Sequence, residues 1–181
     1  MGEPLIETER LILRPYTHDD AERLFDMMSR IEVAKWSGEG IPMQTIDEAH
    51  ARIDRMPIRA GDRPEAGVFA VERKDNGVVA GMAVLAPIPA SKSVDRSDME
   101  IGWHLHPDSW GHGFATEAAT ALVARGFAAG LTELYAVTKP ANGPSQAVCQ
   151  RLGMEDLGLR KDWYDQELRA FCLKAPGEPV K

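Results

Sequence analysis

Cysteine is scarce in this chain: of 181 residues, only Cys149 and Cys172 carry thiols. They form no C-x-x-C pair and no disulfide framework, which excludes a stapled secreted scaffold and suits a reducing, cytoplasmic setting. Long apolar runs are missing too, so no segment reaches the length needed to span a bilayer. The opening MGEPLIETER has no apolar core region, and a secretory signal is not expected. Positive charge is in deficit, with 21 Lys and Arg against 28 Asp and Glu and a net charge of -7. That balance argues against nucleic acid or an anionic membrane as the main partner. There is no G-x-x-x-x-G-K-[ST] loop and no βαβ unit bearing G-x-G-x-x-G, which disfavours a nucleotide-binding protein. No internal repeat is visible.

What remains is an ordinary globular composition, 44% hydrophobic and 27% charged. The length fits a single domain with a sizeable core, placed at residues 1–174, followed by a tail from Ala175 to Lys181 expected to be disordered.

One stretch organises the rest, EIGWHLHPDSWGHGFATEAA from Glu100 to Ala119. Met99, Ile101, Trp103 and Leu105 alternate against Glu100, Gly102 and His104, which predicts a strand. Pro107 ends the regular ladder, and Asp108 to Gly113 make a glycine-punctuated loop. Beyond it, Ala115, Ala118, Ala119, Leu122, Val123, Gly126 and Phe127 share one face at helical spacing. A strand, a glycine loop and a helix N-terminus form a ready anion site, because free N–H groups and the positive end of the helix dipole converge there. Gly111 and Gly113 lack a Cβ, so a bulky polyanion can come close to the main chain.

Around this centre, Leu11 to Leu13 predict a strand ending at Arg14-Pro15, where Arg14 reads as a strand-end charge. Thr17 starts a helix with an apolar stripe of Ala21, Leu24, Phe25, Met28 and Ile31. Trp36 to Pro42 is a loop. Thr45 and Glu48 have capping-box spacing at the start of a second helix, whose Ala49, Ile53 and Met56 face inward and which is expected to end at Pro57. Ala60 to Gly67 is a surface loop. Val68 to Glu72 and Val78 to Leu85 form a hairpin turned by Lys74-Asp75-Asn76-Gly77. Pro87 to Ser97 is a polar connection expected to be mobile and to border the site. Gly130 caps the central helix, Leu131 to Thr138 is a strand, and Asn142-Gly143-Pro144-Ser145 opens the last helix. Strands near Glu155 to Arg160 and from Leu168 to Leu173 close an α/β or α+β layered domain.

WGHGFATEA, preceded by EIGWHLHPD, resembles the acetyl-CoA motif of the GNAT acetyltransferase superfamily. The likeness is greatest to the ribosomal-protein N-acetyltransferase (RimJ/RimL-like) branch. TERLILRP, the hairpin around KDNG, and NGPSQAVCQRLGM follow in the family's order, so the resemblance runs from about Glu7 to Leu173. Gly113 and Ala115 occupy the last two fixed positions of the family loop Q/R-x-x-G-x-G/A, and Trp110 stands where Gln or Arg is usual.

The resemblance implies a mostly antiparallel sheet of six or seven strands, splayed at the cofactor strand, with helices on both faces. It implies direct transfer of an acetyl group from acetyl-CoA to a primary amine, either a protein N-terminus or a small molecule, without a metal. The loop of Trp110, Gly111, His112, Gly113, Phe114 and Ala115, with Thr116, would hold the pyrophosphate. The backbone at Leu105 would pair with the pantetheine arm, and Asn142 and Ser145 would lie along it. Glu100 would take the proton of the amine; the alternative is a structural acid paired with an arginine. Ser145 and Cys149 compete as the acid, with Ser145 the stronger candidate and a helix cap its alternative role. Cys149 stands where many family members carry tyrosine, which keeps open a CoA-binding or sensor domain without catalysis. A longer donor such as succinyl-CoA is a further alternative. Trp36, Trp103 and His104 would wall the acceptor. His104, His106 and His112 lack the fixed third ligand that a zinc site needs. The family is often dimeric, which makes a homodimer an expectation.

Overall fold

The computed structural model describes residues 5–177, so the expectation for the last four residues of the tail lies outside the described part. The elements in chain order are β1 (Ile6–Glu7), β2 (Leu11–Pro15), α1 (Ala21–Met28), α2 (Ile31–Ala34), α3 (Ile46–Ala60), β3 (Gly67–Arg73), β4 (Val79–Ile88) and β5 (Asp98–Leu105). There follow α4 (Phe114–Ala128), β6 (Glu133–Thr138), α5 (Gly143–Arg151), β7 (Glu155–Arg160) and β8 (Leu168–Lys174). The strands form one open sheet in the order β1-β2-β3-β4-β5-β6-β8-β7. All neighbours are antiparallel except β5 and β6. The eight strands exceed the expected six or seven, and two-residue β1, too short to leave an alternation in the sequence, is one reason. Among the described residues, no helix is long and apolar enough to cross a membrane.

Alternation along the central strands sorts the core into two layers. Phe69, Val71, Ala83, Leu85 and Ile101 face α4 through Phe114, Ala118, Ala119 and Leu122. Val68, Met82 and Val84 face the other way, onto Leu24, Met27 and Met28 of α1 and Ala49, Ile53 and Met56 of α3. Arg14 is more than a strand-end charge. Its guanidinium forks onto both oxygens of Asp20 at 2.8 Å and reaches Glu72 at 2.7 Å, tying β2 to the turn before α1 and to β3.

The feature that makes a site is a parting of the sheet. β5 pairs with β4 along its whole length, from Gly81↔Leu105 to Ile88↔Asp98. It meets β6 at a single register position, Glu100↔Tyr135. The His106 N–H donates to the Ala80 carbonyl at 2.8 Å, which sets the phase of the ladder. Trp103 and Leu105 therefore turn their main-chain groups away from β4, toward the side where β6 has diverged.

Three local expectations need correction. α3 does not stop at Pro57 but runs to Ala60. Proline costs one hydrogen bond, to the Ile53 carbonyl, but sits on the exposed side while packing of Ile53 and Met56 carries the helix on. Ile31 is not part of the α1 stripe; it opens the separate α2 and is exposed. The connection from Pro87 to Ser97 is tied down rather than loose. Ala90 bridges Trp163, the Ser91 N–H donates to the Asp162 carbonyl at 2.8 Å, and the Asp165 N–H donates to Ser91 Oγ at 3.0 Å.

Candidate active site

The groove on the open edge of β5 is built from the loop and helix that follow it. Gly111 and Gly113 both have φ of 77°, a left-handed conformation costly for any residue with a Cβ. Gly113 is the N-cap of α4 and offers no side chain to the first turn, so the orphan N–H groups there are left for a ligand. Thr116, in that first turn, has a buried Oγ1 with no hydrogen-bond partner among the described residues. A buried hydroxyl without a partner calls for an explanation, and a phosphate oxygen docked on the helix end would supply one.

The loop is braced from the turn between β1 and β2. Arg10 donates from Nε to Glu117 Oε2 at 2.7 Å and from Nη1 to the His112 carbonyl at 2.9 Å. Trp110, half-exposed, lays its indole over the groove and donates from Nε1 to the Leu105 carbonyl at 3.0 Å.

This groove has a volume of about 790 Å³, with Leu105, Trp110, Gly111, Gly113, Ala115 and Thr116 among its walls. Two residues expected there are not wall residues. The Phe114 ring is buried in the core under α4, and the His112 ring stacks on it at 5.4 Å. The His112 ring is exposed but stands outside the groove wall, whereas Phe114 offers a ligand only its main chain. The reason is the start of α4, whose first side chain is drawn inward by its apolar face.

A second cavity of about 280 Å³ lies toward β6 and α3. It shares Trp36, Trp103, His104, Asn142 and Ser145 with the groove, so the two spaces meet at those residues. Glu100 stands on its wall, buried and paired with Arg59, and its Oε1 also accepts from the Tyr164 hydroxyl. Arg59 in turn donates to the Tyr164 oxygen at 2.6 Å and to the Pro87 carbonyl at 2.6 Å. The pairing with an arginine that was open as an alternative for Glu100 is present. It occupies only Oε1; Oε2 has no hydrogen bond among the described residues and is not sealed from solvent. Burial pushes the Glu100 carboxyl above its ordinary value, opposed by the Arg59 charge and the Tyr164 hydrogen bond.

His104 also faces this space. Desolvation first, and the Arg52 cation second, push its imidazole down to about 4, so it is neutral at pH 7. β5 ends at Leu105, and His106 leaves the strand to bond Asp26 from Nε2 at 2.8 Å; His104 and His106 do not converge on a common ligand.

Asn142 is the N-cap of α5, its Oδ1 accepting from the Ser145 N–H at 3.4 Å. The Ser145 hydroxyl has no hydrogen bond among the described residues and faces the junction of the two spaces. Cys149, one turn on, is fully buried in the core, and desolvation pushes its thiol up to about 12. It lines neither space.

Arg52, Arg59 and Tyr164 escaped sequence reasoning. The two arginines had a signal: they continue the inward positions of α3, with Arg52 three after Ala49 and Arg59 three after Met56. Tyr164 had none, because the turn that carries it is placed by long-range contacts with the segment after β4. Among them are the pairing of Ala90 with Trp163 and the Tyr164 N–H donating to the Pro89 carbonyl at 3.0 Å.

The family model described as an acetyltransferase (GNAT) domain matches residues 10–155. The uncharacterized N-acetyltransferase YoaA of Bacillus subtilis (strain 168) is 31% identical over 165 residues, covering 90% of this chain and 89% of that protein. The FsC-acetyl coenzyme A-N(2)-transacetylase of Aspergillus fumigatus is 30% identical over 168 residues, with 91% of this chain and 70% of that protein covered. Among solved structures, Mycobacterium smegmatis RimJ in complex with CoA-disulfide superposes with a TM-score of 0.74 at 18% identity, over 97% of this chain and 90% of that one. The parted sheet, the glycine loop at the start of α4 and these matches agree: the chain belongs to the GNAT family of acetyl-CoA-dependent N-acetyltransferases.

Proposed function

We propose that this chain moves an acetyl group from acetyl-CoA directly to a primary amine held in the smaller cavity. The observation that carries the reading is the meeting of the two spaces at Trp36, Trp103, His104, Asn142 and Ser145. A donor lying along β5 and an amine entering from the other side would come together there.

The fit of the groove to the donor rests on the unpartnered Thr116 hydroxyl and the open first turn of α4. The Trp110 to Ala115 main chain and Thr116 would hold the pyrophosphate. The open edge of β5 at Trp103 and Leu105, where the Leu105 carbonyl accepts from Trp110 but its N–H is turned outward, would pair with the pantetheine arm as an added strand does. When bound, acetyl-CoA supplies the activated acyl carbon and a thiol leaving group. The protein positions the amine against that carbon and handles two protons. Glu100 Oε2, held on the cavity wall by Arg59 and Tyr164, accepts the proton lost by the amine nitrogen, directly or through one water. Its raised pKa brings it nearer to that task than an exposed glutamate. The Ser145 hydroxyl, free of other bonds, would pass a proton to the departing sulfur while regaining one from solvent, so that no alkoxide is left. The five residues at the junction carry no cation at pH 7, which favours acetyl over a dicarboxylic acyl group.

Titration calorimetry with acetyl-CoA, followed by CoA release over a panel of amines, tests this. Glu100→Gln is expected to bind acetyl-CoA normally and to lose about a hundredfold or more in turnover, the usual worth of a general base. Failure of the wild-type protein to bind acetyl-CoA would overturn the proposal.

A further inference from the structure

The acceptor cavity has an unbalanced charge. Arg59 and Glu100 cancel as a pair, and Lys139 spends its ammonium on the Lys35 carbonyl at 2.8 Å. Arg52 is left. Its guanidinium lies on the cavity wall, and its one hydrogen bond among the described residues runs from Nη2 to Met82 Sδ at 3.7 Å. A thioether is a weak acceptor, and a guanidinium has five N–H donors. Among the described residues it forms no ion pair with a carboxylate, and the neighbouring Arg55 adds a like charge. A largely desolvated cation without an anion is costly, and natural folds retain one where a partner arrives from outside. The planar fork of an arginine matches a carboxylate in bidentate fashion.

We infer that Arg52 is a carboxylate-binding residue of the acceptor cavity, and that the carboxylate belongs to the amine substrate. The inference rests on the acetyl-transfer reading above and narrows it, from any primary amine to one that carries an acid group, as a free amino acid does. Arg52 lines the acceptor cavity and not the donor groove, so the acid comes in with the amine rather than with the acyl group or the CoA phosphates. A cavity of about 280 Å³ is of a size for such a small acceptor. Simple polyamines, which bring only positive charge, would meet Arg52 and Lys139 with nothing to offset them.

The test uses the full chain and matched acceptors, each amino acid beside the amine left when its carboxylate is removed, with CoA release as the readout. Peptides beginning with Asp or Glu, against Asn or Gln, form a second arm, and succinyl-CoA as donor a third. The carboxylated members are expected to be used at least tenfold better in kcat/KM. Arg52→Gln should erase that preference mainly through KM, with the acetyl-CoA Kd unchanged. In the absence of ligand, Arg52→Met should raise Tm, because it removes the uncompensated cation.

Equal use of carboxylated and decarboxylated amines would overturn the inference, as would a preference that survives Arg52→Gln. A preference for succinyl-CoA that Arg52→Gln abolishes would assign the carboxylate to the donor and overturn it as well. If no acceptor in the panel is turned over, thermal shifts decide: stabilisation of wild type but not of Arg52→Gln by amino acids supports the inference, and its absence overturns it. Loss of acetyl-CoA binding by the wild type is a separate result and would sink the underlying reading instead.

Discussion

The Tyr164 hydroxyl, 64 positions along the chain from Glu100, donates to Glu100 Oε1 and thereby fixes which carboxylate oxygen is left for chemistry. The contact has an electrostatic consequence. Burial raises the Glu100 pKa, while the Arg59 charge and this hydrogen bond lower it. Tyr164→Phe removes one lowering influence and leaves burial in place, so the carboxylate should become harder to ionise. Because a general base works only when ionised, the acid limb of the kcat/KM profile should move to higher pH in Tyr164→Phe. In Glu100→Gln that limb should vanish. A limb unmoved by Tyr164→Phe would mean that Glu100 is not the group being titrated.

Glu117 locks the loop to the first strands. Its carboxylate accepts from Thr8 Oγ1 at 2.6 Å, from the Arg10 N–H at 2.8 Å and from Arg10 Nε at 2.7 Å. Charge-assisted bonds of this kind are worth roughly 1.5–3 kcal/mol, so Glu117→Ala should lower stability by about that much at pH 7 in urea unfolding. Burial works to raise its pKa, but the bonds from Thr8 and Arg10 outweigh it and the net shift is downward. A carboxylate lowered in the folded state stabilises above its unfolded pKa, about 4.3, and loses that contribution as pH falls through the folded value. The stability gap between wild type and Glu117→Gln should therefore close as pH is taken from 7 below about 4. The same variant should weaken acetyl-CoA binding, since Arg10 also holds the His112 carbonyl.

Much of this arrangement was legible in the sequence because it is local. The alternation through Met99 to Leu105, Gly111 and Gly113, and the small-residue face of α4 each follow from a short-range rule. Asn142 as the cap of α5 is likewise a matter of three residues. What could not be read depends on distant segments. Pro57 suggested a helix end, and only tertiary packing carries α3 one turn further to put Arg59 beside Glu100. Pro87 to Ser97 looked like a free linker by composition, yet its partners lie in the turn after β7. The phase of α3 did contain a warning, since Arg52 and Arg59 fall on its inward stripe, where an arginine is out of place unless something in the site needs it.

Ser145 and Cys149 sit one turn apart on α5 and should separate cleanly in experiment. Cys149 is enclosed, with its thiol pushed up to about 12 by desolvation. In the native protein at pH 8 it should not react with a thiol reagent, and Cys149→Ala should cost stability on the order of 1–2 kcal/mol with little change in kcat. Ser145→Ala removes a hydroxyl that has no structural bond, so Tm should hold while kcat falls by about tenfold to a hundredfold, as loss of a proton donor would give. Equal kcat in wild type and Ser145→Ala would leave solvent as the proton source.

Gly81 and Gly102 lie on the paired strands β4 and β5, and a methyl group added to each has opposite consequences. At Gly81 the new Cβ would lie 2.1 Å from the His104 carbonyl oxygen and 2.7 Å from the Leu105 Cα. Both are main-chain atoms that cannot swing aside, so β5 itself must move, at the edge proposed to receive the pantetheine arm. Gly81→Ala should therefore cost about 2–3 kcal/mol or more and weaken acetyl-CoA binding along with stability. At Gly102 a Cβ meets nothing within 4 Å, and the residue lines the acceptor cavity. Gly102→Ala should leave Tm and the acetyl-CoA Kd close to wild type while reducing the room for the amine, which would appear as a higher KM for bulky acceptors alone. Should both variants lose stability equally, the close contact at Gly81 would not be what holds β5 in register.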